Sequence, residues 1–137
     1  MIIFWKILDF FAIMLYNNIE VVNMQKEQLT HITNTITESA KKLLGDKLHS
    51  VILYGSYARG DFNEDSDVDI MILADIDETT EQRTFFHTMD EVTSDLDLEL
   101  GTMVSVHLKN KDFFYEWVTK LPFYRNVAKD GVTLYAA

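Results

Sequence analysis

Gly55 and Ser56, then ten residues, then Asp67-Val68-Asp69 are the positions whose types and spacing can do chemistry. Side chains two apart in an extended strand lie on one face, so Asp67 and Asp69 project together. Two adjacent carboxylates repel one another. A divalent cation between them removes the repulsion, and Mg²⁺ takes carboxylate and phosphate oxygens. Gly55 permits a sharp turn and a close backbone approach. Ser56 stands where a short helix begins, with free backbone N–H groups and a hydroxyl that suit a phosphate. Once the polar loop between them folds back, both halves face one gap. A nucleoside triphosphate would then be held by its tail at Gly55-Ser56, with Mg²⁺ joining its phosphates to Asp67 and Asp69. Such a site aligns an in-line attack on the α-phosphorus. Each half alone also has a plain structural reading, a Gly-Ser turn and an acidic strand entry. Their joint placement between two apolar strands favours a site.

Two strands and a turn must position these residues. Val51-Ile52-Leu53-Tyr54 is a β-branched and apolar run fit for a buried strand. Ser56 to Arg59 can form a short helix that Gly60 stops, and Asp61 to Ser66 is a polar loop. Val68, Ile70 and Ile72 alternate with Asp67, Asp69, Met71 and Leu73, which predicts a second strand. Upstream, Leu29, Ile32, Ile36, Ala40, Leu43 and Leu44 form one apolar stripe, predicting a helix over 25–44 closed near Gly45-Asp46. Downstream of an acidic connection, Asp75 to Glu81, the spacing of Phe85, Met89, Val92, Leu96 and Leu100 predicts a helix over 80–100 with Gly101 as its stop. Thr102 to Leu108 alternates as a third strand, Thr102, Val104, Val106 and Leu108 on one side and Met103, Ser105 and His107 on the other. Asn110 caps a last helix containing Phe113, Phe114, Trp117, Val118 and Leu121, with Pro122 as its stop. Residues 124–137 read as a tail with a turn at Asp130-Gly131 and a short strand over 132–135. The order predicts an α/β (α+β) domain, a small sheet with helices packed on it.

At 137 residues, with 47% hydrophobic and 12% aromatic side chains, the chain can fill the core of one small domain. Its net charge of −10 opposes the tracking of long nucleic acid, which needs clustered Lys and Arg. There is no cysteine, so disulfides, thiolate metal sites and a cysteine nucleophile are excluded, and a cytoplasmic location is expected. Residues 1–16 are almost wholly apolar, broken by Lys6 and Asp9. That run is short for a membrane span and lacks the charged start and small-residue cleavage site of a signal peptide. A membrane-surface helix, an interaction helix and an extension outside the working protein all fit it. The domain reading places residues 1–23 as an apolar extension and 24–137 as the working domain, with no membrane role expected. His31, His49, His87 and His107 form no metal spacing and read as surface or packing residues. The segment 122–125 reads either as a docking edge or as a tail packed on the sheet.

The joined pattern Gly55-Ser56 and Asp67-Val68-Asp69 resembles the signature of the DNA polymerase beta-like nucleotidyltransferase superfamily. The stretches GSYARGD and SDVDIMI are similar to its minimal nucleotidyltransferase branch, small proteins often partnered with a HEPN-domain toxin. The resemblance runs from about Met24 to Tyr135. It implies a mixed sheet carrying the signature and Mg²⁺-dependent transfer of a nucleoside monophosphate. In paired systems it implies transfer of AMP from ATP to a tyrosine hydroxyl of the toxin, making the chain an antitoxin. By position, Gly55 and Ser56 would bind phosphate, Asp67 and Asp69 the metal. Arg59 matches the family's arginine before glycine, reaching a phosphate or pairing with Asp61 or Asp65.

Active members of that family add a third carboxylate from a later strand, acting on the attacking hydroxyl as base or metal ligand. Aligned by sequence, that position falls at Gly101 or Thr102, and Thr102 to Leu108 contains no acid. Asp95, Asp97 and Glu99 precede it, either as one face of a strand or as the acidic end of the helix. Glu99 is the nearest stand-in. Two family readings follow, a working adenylyltransferase and a nucleotide-binding antitoxin that neutralises by contact. A small-molecule (aminoglycoside-type) nucleotidyltransferase is the alternative of another class, and it usually needs a further domain for its acceptor.

Overall fold

A computed structural model describes residues 2–77 and 80–137. The chain divides into two compact units, Met1–His31 and Ile32–Ala137. The first unit contains no strand among its described residues. Its helix, α1, runs from Ile2 to Leu44 without a break at Met24, where the sequence reading began the domain. Within the first unit, Ile3, Phe4, Trp5, Phe10, Phe11, Ile13, Leu15, Tyr16 and Ile19 are all exposed. An 18-residue stretch of α1 has a mean hydropathy of 1.2, long and apolar enough by length and composition alone to cross a membrane.

The second unit holds a four-stranded sheet in the order β3-β2-β1-β4. A short 3₁₀ turn over Gly45–Lys47 leads into β1 (Leu48–Tyr54). The four-residue α2 (Ser56–Arg59) follows, and Gly60 ends it in the left-handed conformation. The strand β2 (Val68–Ala74) pairs antiparallel with β1. The predicted helix over 80–100 is present as α3 (Thr80–Leu100), crossing over so that β3 (Val104–Asn110) lies parallel to β2. The sheet is therefore mixed, as the fold reading required. Part of the acidic connection before α3, residues 78 and 79, lies outside the described residues.

β2 is the central strand, and its residues are buried from Val68 to Ala74 apart from half-buried Asp69. One face is closed by a cluster of Tyr54, Met71, Leu73, Phe114, Tyr124 and Val127. Alternation puts Val68, Ile70 and Ile72 on the other face, together with Val51 and Leu53. The buried stripes Ile32-Ile36-Ala40 of α1 and Phe85-Met89-Leu96 of α3 are the apolar surfaces left to cover it.

The end of the chain departs from the sequence reading. The last predicted helix is shorter, α4 (Lys111–Trp117), with Asn110 accepting from the Asp112 and Phe113 backbone N–H groups. Pro122 is a start as well as a stop, standing at the first turn of α5 (Pro122–Asp130). Its missing N–H is no loss there, and its fixed φ suits a first helical residue. Residues 124–130, read as tail, are therefore helix, and they bury Tyr124 and Val127 on the sheet. The short last strand is present as β4 (Val132–Ala136), antiparallel to β1.

Phe114 joins α4 to this cluster at 2% exposure, with its ring 5.4 Å from that of Tyr124. Phe114→Ala is expected to lower folding stability by about 3–5 kcal/mol in urea titrations, as emptied aromatic sites do.

Candidate active site

Asp67 and Asp69 lie where β2 emerges from the core. Asp67 is exposed just before the strand, and Asp69 is its second residue and half-buried. Val68 between them is fully buried and donates its N–H to the Met103 carbonyl at 2.9 Å. That anchoring fixes the alternation and puts both carboxylates on one face. Burial first, and the charge of Asp67 second, raise the pKa of Asp69 above its ordinary value. His107 and Arg59 pull it the other way. Tyr54, the register partner of Asp69 on β1, is pushed up to about 12 by burial and then by the Asp69 charge.

Gly55 joins β1 to α2 directly against this pair. Its φ of 75° and ψ of −156° belong to a region that only glycine occupies at ease. A Cβ there would overlap the Asp69 carboxylate and stand 3.3 Å from its Cγ. The Gly55 turn thus packs against the Asp69 carboxylate. Ser56 is the first residue of α2, whose turn closes through the Arg59 N–H to the Gly55 carbonyl at 3.1 Å.

The polar loop folds back over this corner. The Tyr57 and Phe62 rings stack with centroids 4.3 Å apart and planes 7° from parallel. Asn63 accepts the Asp65 N–H, and Ser66 Oγ accepts the Asn63 N–H, each at 2.9 Å. Burial and then Asp67 raise the Tyr57 pKa, so Tyr57 also borders the acidic pair. Arg59 pairs with Asp61 at 3.3 Å, the structural partner anticipated in the sequence, while its charge still acts on Asp69.

The acids considered for a third carboxylate stand on a helix and not on a strand. Asp95, Asp97 and Glu99 are exposed on α3, so the strand alternative for them is incorrect. The Phe85-Met89-Leu96 stripe keeps that segment helical. Asp67, His107 and Arg59 are charges that act on Asp69. The strand beside Asp69 places Ser105, not Gly101 or Thr102, at its level, with His107 two residues on. His107 is exposed, in keeping with the surface or packing reading of the histidines, and the sequence does not show that it stands near Asp69. Parallel register with β2 was the missing information. Clefts near Lys47, Thr80 and Glu81 lie at the Ala74 end of β2, away from this corner.

A model of the nucleotidyltransferase domain matches residues 20–129. The chain belongs to the nucleotidyltransferase domain family. This nucleotidyltransferase is 35% identical over 89 residues to "Putative protein adenylyltransferase MJ0604" of Methanocaldococcus jannaschii, covering 65% of this chain and 80% of that one. A second protein of that organism, "Putative protein adenylyltransferase MJ0141", is 48% identical over 46 residues, covering 34% of this chain and 46% of the relative. The fold is similar to that of a toxin–antitoxin crystal structure with AMP-PNP, at a TM-score of 0.50 and 21% identity, covering 77% of this chain and 73% of that one.

The geometry predicts two outcomes. Gly55→Ala forces an L-residue into a strained backbone and displaces Asp69. A loss of about 1–3 kcal/mol is expected on thermal or urea unfolding. The second concerns pH. The folded protein favours protonated Asp69, so ionising it costs stability as pH rises from 3.8 through the raised value. Asp69→Asn is therefore expected to raise the unfolding midpoint of the metal-free protein at pH 7. The gain should disappear below pH 3.8, where Asp69 is protonated in both states.

Proposed function

We propose that this nucleotidyltransferase moves AMP from ATP to a protein hydroxyl, a tyrosine of a HEPN-domain toxin, and so acts as its antitoxin. Residues 24–137 form the working domain in this reading. The observation that carries it is the contact of Gly55 with Asp69, which puts a phosphate-accepting turn and two carboxylates at one corner. The resemblance of the signature to minimal nucleotidyltransferases supports the acceptor, and the likeness to a toxin–antitoxin structure with AMP-PNP supports a toxin partner and an adenine nucleotide.

Mg²⁺ suits this donor set. Among the described residues no group of three or more His, Asp or Glu side chains is placed to hold a metal. Mg²⁺ commonly takes only one or two carboxylates and completes its shell with phosphate oxygens and water. Burial and then the Asp67 charge raise the pKa of Asp69 despite the opposing pull of His107 and Arg59, so the ionised pair would gain from a bound cation. Bound between Asp67 and Asp69, Mg²⁺ would neutralise the phosphates and polarise the α-phosphorus. The chain does the rest. The Gly55-Ser56 turn supplies backbone N–H groups and a hydroxyl to the phosphate tail. Arg59 adds positive charge near it. The Tyr57–Phe62 stack holds the loop closed over the corner. Asp67 and Asp69, fixed by the buried Val68 between them, set the angle of the α-phosphorus to the acceptor.

One observation favours a second reading, an antitoxin that binds nucleotide and neutralises by contact. The residue level with Asp69 on β3 is Ser105, where a carboxylate would be expected of a transferase. The Asp67→Asn/Asp69→Asn variant separates the two. Incubated with the toxin and α-³²P-ATP, the native chain is expected to label a toxin tyrosine. The variant should leave the toxin unlabelled and active. A variant that still neutralises, or a native chain that transfers no label, supports the contact-only reading.

A further inference from the structure

The two sides of Asp69 differ in chemistry. On its β1 side lies the Gly55-Ser56 turn, against which the carboxylate packs. On the other side lies β3, with Ser105 opposite Asp69 and His107 opposite Met71. Alternation along parallel strands puts Ser105 and His107 on the face that carries Asp69. The Ser105 hydroxyl and His107 Nε2 are 3.4 Å apart. The imidazole and the Tyr54 ring, from the strands on either side of β2, come within 6.3 Å of each other. The imidazole therefore leans across β2 toward Asp69. It is exposed, so the core does not depend on it.

In-line transfer needs the leaving pyrophosphate and the attacking hydroxyl on opposite sides of the α-phosphorus. With the phosphate tail on the β1 side, the hydroxyl arrives over β3. We propose that Ser105 and His107 form the acceptor subsite, with His107 holding the incoming hydroxyl and taking its proton and Ser105 orienting the imidazole. The proposal rests on the transferase reading above and deepens it. The acceptor oxygen bonds to the α-phosphorus, and the bond from that phosphorus to the bridging oxygen of pyrophosphate breaks. Pyrophosphate leaves with the bonding pair. With Nε2–H donating to Ser105 Oγ, the hydroxyl proton passes to the unprotonated Nδ1, and then to solvent. A neutral imidazole can do here what a third carboxylate does on a similar strand.

His107→Ala and His107→Gln test this in the full chain, assayed with α-³²P-ATP and the toxin. Mg²⁺-ATP binding is measured in parallel by calorimetry. Both variants are expected to bind ATP as the native chain does and to transfer label roughly 10²-fold more slowly or worse, the usual scale of a general base. Added imidazole should restore part of the rate of His107→Ala, an effect a purely structural role would not show. Either variant transferring at the native rate, or a loss that imidazole does not relieve, would overturn the subsite. A native chain with no transfer overturns the transferase reading itself, and this inference falls with it.

Discussion

The repulsion between Asp67 and Asp69 is the constraint around which this molecule is arranged. A half-buried carboxylate beside a second one is unfavourable in a folded protein, and the raised pKa of Asp69 expresses it. The fold tolerates the pair only because it stands at the mouth of β2. Everything further along that strand is buried and apolar. In the proposed transferase, a cation carrying phosphates would relieve the same repulsion. The glycine against Asp69 leaves room for nothing but backbone, so the phosphate turn comes as near to the acids as the chain permits.

Topology then gives the corner its direction. β1 enters antiparallel and turns into α2 beside Asp69, while α3 carries the chain over to β3, parallel on the far side. One flank offers backbone N–H groups and a hydroxyl. The other offers a hydroxyl and an imidazole. Beneath the acids, the Phe114, Tyr124 and Val127 cluster packs α4 and α5 against the same sheet face and fixes the strands. Tyr54 belongs to both, as a core residue and the register partner of Asp69. Substitutions in that cluster should therefore reach the site through the strand rather than by contact with a ligand.

Local patterns made much of this legible in the sequence. The alternation around Val68, Ile70 and Ile72, the stripe from Phe85 and the Asn110 cap each state their own element, because period and capping are short-range properties. Pro122 misled because a proline ends one helix and starts another with equal ease, and only the burial of Tyr124 and Val127 reveals α5. Gly55, Ser56, Asp67 and Asp69 could be singled out because types and spacing coincide. Ser105 and His107 could not. Their relation to Asp69 is a matter of parallel register between strands joined by a 21-residue helix, which nothing local encodes. The Met1–His31 unit shows the converse, an obvious apolar composition whose described residues from Ile3 to Ile19 are exposed.

The central claim is that Asp67 and Asp69 form one cation-dependent nucleotide site with the Gly55 turn. Calorimetric titration of the native chain with ATP, with and without Mg²⁺, tests it most directly. The account predicts that Mg²⁺ strengthens ATP binding to the native chain and adds nothing to the Asp67→Asn/Asp69→Asn variant. Equal affinity in the absence of Mg²⁺, or an equal gain from Mg²⁺ in the variant, would contradict it.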